Sequence, residues 1–261
     1  MRLCRRKGIA VVLLAAGVGS CGASDRPALN TVSVAVASNF ASAHGALARR
    51  FEAETGSRVV ASYGATGQLY AQIRNGAPFE IFLAADALRP RLLEEEGFSP
   101  PGARFTYSIG RLVLYGPGLD SVRSAGVDLA MPNLTHVAIA NPNTAPYGAA
   151  AEAAIAGLRF DAPSLRSKLV RGGNVAQALQ FVRSGSAELG FVALAQVLDE
   201  PVRSYWVVPA EYHAPLVQDA VLLHAAEANR AALAYWDFLR SSVAAEIIAA
   251  LGYESPSPRD P

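Results

Sequence analysis

Short runs of alternating or wholly apolar residues in this chain are followed, again and again, by segments with a helical period. Thr31–Ala37 (TVSVAVA) alternates as a strand does, and Phe40, Ala43, Leu47 and Phe51 then recur at helical spacing over 40–55 until Gly56 ends the pattern. The unit repeats with a strand over 58–63, a helix over 67–75 stopped by Gly76, a strand over 80–84, and a helix over 89–96 stopped by Gly97. Beyond the Pro and Gly cluster at 100–102, strands are expected at 111–115, 137–140, 189–193 and 217–223. Helices are expected at 148–156, 175–184, 227–239 and 243–250, before a loose tail marked by Pro256 and Pro258.

Strands alternating with helices of this length predict parallel pairing, because a parallel crossover carries a helix over the sheet face. The fold class is therefore α/β, with mostly parallel sheets flanked by helices. Two stretches, 106–111 and 214–218, are suited to carry the chain out of one lobe and back, and two such crossings make a hinge.

The opening residues change the picture. MRLCRRKGIAVVLLAAGVGSC has a basic head, an apolar run over 9–18 and small residues before Cys21, which is the pattern of a secretory signal. The run is shorter than the roughly 20 apolar residues of a spanning helix. Val18-Gly19-Ser20-Cys21 resembles a lipobox, whereas Cys21-Gly22-Ala23 also offers a small-residue site for the ordinary signal peptidase. Cys4 leaves with the signal, so Cys21 has no disulfide partner in the exported chain, as an acylated cysteine requires. The expected organisation is signal and lipobox at 1–21, tether at 22–30, one lobe from 31–108 plus 217–255, and a second lobe from 109–216.

The chain is 51% hydrophobic, ample for extensive cores, and its 23 basic and 22 acidic residues are interspersed to a net charge of +1. No basic face of the kind nucleic acid demands is present in this pattern. Nor does the exported chain contain a nucleophile elbow, a zinc-helix pair or a phosphate loop. The GxGxxG match at 17–22 falls in the signal segment and follows no strand, so it is not a dinucleotide site. His44, His136, His213 and His224 stand singly on separate elements and predict no metal-cation site.

Hydroxyl and small residues instead gather at strand-to-helix junctions: Ser38-Asn39, Ala65-Thr66-Gly67, Pro146-Tyr147-Gly148 and Asn174-Val175. The first turn of a helix has unpaired N–H groups and the positive end of its dipole, so several converging junctions make an anion cage. Taken one at a time, Ser38, Asn39, Thr66 and Asn174 are better explained as helix N-caps.

VAVASNF, SYGATGQLYAQIRNGAPFEIFLAAD, RFTYSIGRLVLY, NPNTAPYG and ELGFVALAQV together resemble the ModA family, the periplasmic molybdate-binding proteins of ABC importers, over about Thr31 to Tyr253. That resemblance implies a two-lobed periplasmic-binding-protein fold of type II, with the ligand cleft between the lobes, no catalytic residue and no cofactor. It implies Ser38 and Asn39 as ligands from the first loop and Thr66 from the second, where Ala65-Thr66 replaces a common Ser-Ser pair. From the other lobe it implies Tyr147 and the backbone N–H of Val175. A second branch of the family has a ligand tyrosine where this chain has Ala193, so the resemblance places that role on Tyr147. Asp86 matches a recurrent position, but a carboxylate beside a dianion would repel it, so it is read as structural.

The resemblance further implies a protein that captures molybdate or tungstate and docks on a membrane ABC permease; it is expected to be a monomer, held in the cell envelope through lipidated Cys21 as the opening residues indicate. A cage made only of donors favours an unprotonated oxyanion, and sulfate must be rejected by size. Three other readings stay open on the sequence: a binding protein for sulfate or phosphate, an exported hydrolase using Ser38 or Ser62, and a lipoprotein that only interacts with other proteins.

Overall fold

The computed structural model describes residues 31–117, 129, 131, 133–158 and 162–256. The signal segment, Cys21, the tether and Pro258 lie outside the described residues. The strands are β1 (Thr31–Ala37), β2 (Arg58–Gly64), β3 (Ile81–Leu83), β4 (Arg104–Gly110), β5 (Leu112–Tyr115), β6 (Val137–Ala140), β7 (Leu169–Gly172), β8 (Leu189–Ala193), β9 (Tyr205–Val207) and β10 (Leu216–Leu222). The helices are α1 (Ala41–Thr55), α2 (Thr66–Arg74), α3 (Leu88–Glu95), α4 (Pro146–Gly157), α5 (Ala162–Arg166), α6 (Val175–Arg183), α7 (Arg230–Leu239) and α8 (Ser242–Ala250).

Two five-stranded sheets result, ordered β2-β1-β3-β10-β4 and β7-β6-β8-β5-β9. In the first, β2, β1 and β3 are parallel and β10 is antiparallel to both β3 and β4. In the second, β7, β6 and β8 are parallel and β5 is antiparallel to both β8 and β9. Four of the five strands in each sheet thus run the same way. The reversed strand in each is the one that arrives from the other sheet: β5 directly after β4, and β10 after β9.

The period-2 pattern of the first sheet sorts its side chains onto two faces. Val32, Val34 and Val36 of β1 pack with Phe40, Leu47, Phe51, Tyr235 and Trp236 under α1 and α7. Ala35, Phe82 and Val221 face the opposite way, against Leu69 and Ile73 of α2 and Leu93 of α3. Helices on both faces explain why β3 is buried at all three residues. α1 ends where the sequence places its stop: Gly56 takes a left-handed φ of 70°, and its N–H returns to Glu52 O.

The stretch at 106–111 is not a free passage. It forms most of β4, hydrogen-bonded to β10 almost throughout, and the chain passes between sheets only around Arg111. The polar Thr106 and Ser108 broke the apolar pattern there, although Ser108 is fully buried. β7 and β9 went unforeseen because each is a short edge strand and neither is fully buried. α7 starts later than position 227 because the Asn229 side chain caps it, accepting from Ala231 N at 3.0 Å.

α6 has the same kind of cap: Asn174 Oδ1 accepts from Gln177 N at 3.0 Å. Replacing Asn174 with Ala should cost about 1 kcal/mol of stability, measured by urea unfolding. An unchanged midpoint would mean the cap contributes nothing.

Candidate functional site

The carboxyl ends of β1, β2, β6 and β7 feed helix starts that meet between the sheets. The apolar strands put their last residues at one end, and the small or hydroxyl residues that follow begin the next helix. Ala37, Ser38, Asn39, Gly64, Ala65, Thr66, Ala85, Ala145, Pro146, Tyr147 and Val175 line a cavity of about 10 Å³ there. All five residues expected to bind an anion therefore line one cavity, three from one sheet's side and two from the other's. A pocket for an organic metabolite runs to about 300–1,000 Å³, so this one suits a small ion.

The capping alternative can be decided residue by residue. The 3-10 turn at Ser38–Phe40 and helices α1, α2 and α4 have no side-chain cap, so Ser38, Asn39 and Thr66 cap nothing. Asn174 is the one of the four that does cap. Among the described residues Ser38 Oγ has no hydrogen-bond partner, although Ser38 is only 5% exposed. Thr66 Oγ1 accepts from Ala85 N at 3.1 Å, so its hydroxyl hydrogen is left to point elsewhere.

Tyr147 is buried, and its hydroxyl lies against Gly110 and Gln218. Burial pushes its phenol up from the ordinary tyrosine value, and hydrogen bonds from Gln218 and Asn39 pull less strongly the other way, so it stays protonated. Behind it, Asn39 Nδ2 reaches Gln218 Oε1 at 3.0 Å, and the single hydroxyl hydrogen of Tyr107 lies within reach of both Gln218 Oε1 at 3.0 Å and Ala84 O at 2.9 Å. Gln218, Tyr107 and Tyr253 were missed by the sequence reading. The available signal was a pair of polar residues, Gln218-Asp219, inside the otherwise apolar strand LVQDAVL. Both are fully buried, and buried polar groups require partners.

Among the described residues no charged side chain lines the cavity. Asp86 sits outside it, paired with Arg89 and accepting from Arg89 N at 2.9 Å, which agrees with the structural role expected for it. The two halves of the site also touch directly: Gly67 N donates to Thr144 O at 2.8 Å, and the 3-10 turn at Ser38–Phe40 packs against α6. A β-carbon at Gly67 would lie 3.0 Å from Thr144 O and 3.2 Å from Arg89 Nε, so the approach depends on glycine. A larger cavity of about 440 Å³ is lined by Asp86, Arg89 and mostly Ala and Pro residues. It lacks converging donors and does not compete as an anion site. Among the described residues no group of three or more His, Cys, Asp and Glu could hold a metal cation.

A family described as bacterial extracellular solute-binding protein matches residues 32–254. The chain is 46% identical over 246 residues to the molybdate-binding protein ModA of Azotobacter vinelandii, covering 93% of this chain and 96% of that one. It is 44% identical over 226 residues to the molybdate-binding protein ModA of Rhodobacter capsulatus, covering 87% and 89%. Among solved structures, the Azotobacter vinelandii periplasmic molybdate-binding protein is similar with a TM-score of 0.81 and 38% identity, covering 87% of this chain and 100% of that one.

Proposed function

The chain belongs to the ModA family of bacterial extracellular solute-binding proteins, and from that premise we propose that Ser38, Asn39, Thr66, Tyr147 and Val175 hold molybdate between the two lobes. It is a periplasmic molybdate-binding protein that delivers its ion to an ABC importer in the membrane, and it carries out no covalent chemistry. The observation that carries the site assignment is the donor character of the cavity: a protonated tyrosine, two hydroxyls with hydrogens to give, uncapped helix starts and no carboxylate.

Neutral donors suffice, because hydrogen bonds to an ionised acceptor are roughly twice as strong as neutral ones, and contact between the lobes excludes water. Tungstate, with the same charge and nearly the same size, fits the same cage; sulfate is too small to satisfy donors from both lobes at once. Residues 31–110 with 216–255 move as one lobe and 111–215 as the other, two residues later and one earlier than the sequence bounds of 108 and 217, hinged where the chain passes between β4 and β5 and between β9 and β10. Ligand contacts made from both sides stabilise the closed form. The protein acts as a monomer and is held in the envelope through an acylated Cys21.

Thr66→Ala removes one charge-assisted hydrogen bond, so molybdate affinity should fall by about tenfold or more. Isothermal titration measures it, and an unchanged dissociation constant would remove Thr66 from the cage.

A further inference from the structure

Behind Tyr147 lies a polar cluster that the ligand contacts leave unexplained. Gln218 is wholly buried on β10, beside an irregularity where Ser108 and Thr106 pair with Gln218 and Asp219 and Tyr107 stands between them as an extra residue of β4. The Gln218 amide has a donating and an accepting edge, and its neighbours decide which faces where. Tyr253 gives its single hydrogen to Asn39 O at 2.8 Å, a group that only accepts. The Tyr253 oxygen is then left to accept, so the Asn39 atom 3.3 Å from it is the amide Nδ2. The same Nδ2 lies 3.0 Å from Gln218, which presents Oε1 to it and to the Tyr107 hydroxyl, a donor to the same oxygen at 3.0 Å. Nε2 is thereby turned toward Tyr147 and donates to its hydroxyl oxygen at 3.3 Å.

With its oxygen engaged by an amide donor, Tyr147 has its own hydrogen left over, and no acceptor among the described residues takes it. The opposite orientation of Gln218 would present Oε1 to that hydrogen, capture it, and turn tyrosine lone pairs on the anion. We propose that Gln218 is a positioning residue that fixes the Tyr147 hydroxyl as a donor into the cavity, so that the site selects fully deprotonated oxyanions. This rests on Tyr147 being a molybdate ligand, as put forward above. The crossing strand β10 thus sets the hydrogen-bond polarity of a side chain in the other lobe.

The test is a double-mutant cycle read by isothermal titration with molybdate. Gln218→Met, which keeps the bulk without the donor, should cost about tenfold in affinity with Tyr147 present and less than twofold in the Tyr147→Phe background. Gln218→Glu should bind weakly at pH 8 and recover as the pH is lowered to 5.5, because a protonated carboxyl again offers a donor to Tyr147. This comparison stands within one variant even where Gln218→Met fails to fold. Equal losses in the two backgrounds, or a Gln218→Glu deficit that does not change with pH, would overturn the proposal. Wild-type protein that takes up no molybdate would instead overturn the reading on which it rests.

Discussion

Gly110→Ala should lower molybdate affinity by about 10- to 100-fold, the loss expected when one hydrogen bond to a charged ligand is displaced. A β-carbon at position 110 would lie 2.1 Å from the Tyr147 hydroxyl and 2.3 Å from Gln218 Nε2. Neither can step aside cheaply: the Tyr147 ring is 1% exposed, and Gln218 is fully buried with both edges of its amide engaged. The added methyl therefore displaces the tyrosine from the cavity wall. Overpacking should also cost stability, by about 1–3 kcal/mol. Titration calorimetry separates the two effects, because melting reports the packing loss and affinity reports the misplaced hydroxyl. An affinity within twofold of wild type would show that Tyr147 is not a close ligand.

The second large effect concerns pH, and it lies away from the cleft. His44 on α1 is 1% exposed, its Nδ1 is 3.0 Å from the Tyr63 hydroxyl, and its Nε2 has no partner among the described residues. Loss of solvent holds its pKa down at about 4. The folded state therefore resists protonation, while the unfolded chain takes up a proton near the ordinary histidine value. Above that ordinary value both states are neutral and His44 has no effect on pH dependence. As pH falls from about 6.5 to about 4, the unfolded state gains protons first and stability drops, by about 3 kcal/mol in all. Urea unfolding of wild type and His44→Phe across this range should show the gap between them changing by that amount. Parallel curves would exclude His44 as the source.

The cavity residues were legible because each is local to a strand-to-helix junction. Ser38, Thr66, Tyr147 and Val175 stand at or beside the first turn of a helix that the hydrophobic pattern already marked. What joins them was not legible. Gln218 reaches Asn39, Tyr107 and Tyr147 at sequence separations of 179, 111 and 71 residues, and no periodicity reports such pairings. β4 was read as a passage because Thr106 and Ser108 resemble loop residues until their partners on β10 are seen. Thr106 Oγ1 donates to the buried Asp219 at 2.7 Å, so the polar residues on the two strands satisfy one another. The reversed strand of each sheet was hidden for a similar reason, since strand direction depends on which sheet the chain has just left.

The most direct test of the account is thermal unfolding of residues 22–261 with molybdate, tungstate, sulfate and phosphate at equal ionic strength. A ligand present at a thousand times its dissociation constant adds about 4 kcal/mol, or about 10 °C for a chain of this size. That shift is expected with molybdate and with tungstate, and little with sulfate or phosphate. No shift with molybdate, or a larger one with sulfate or phosphate, would contradict it.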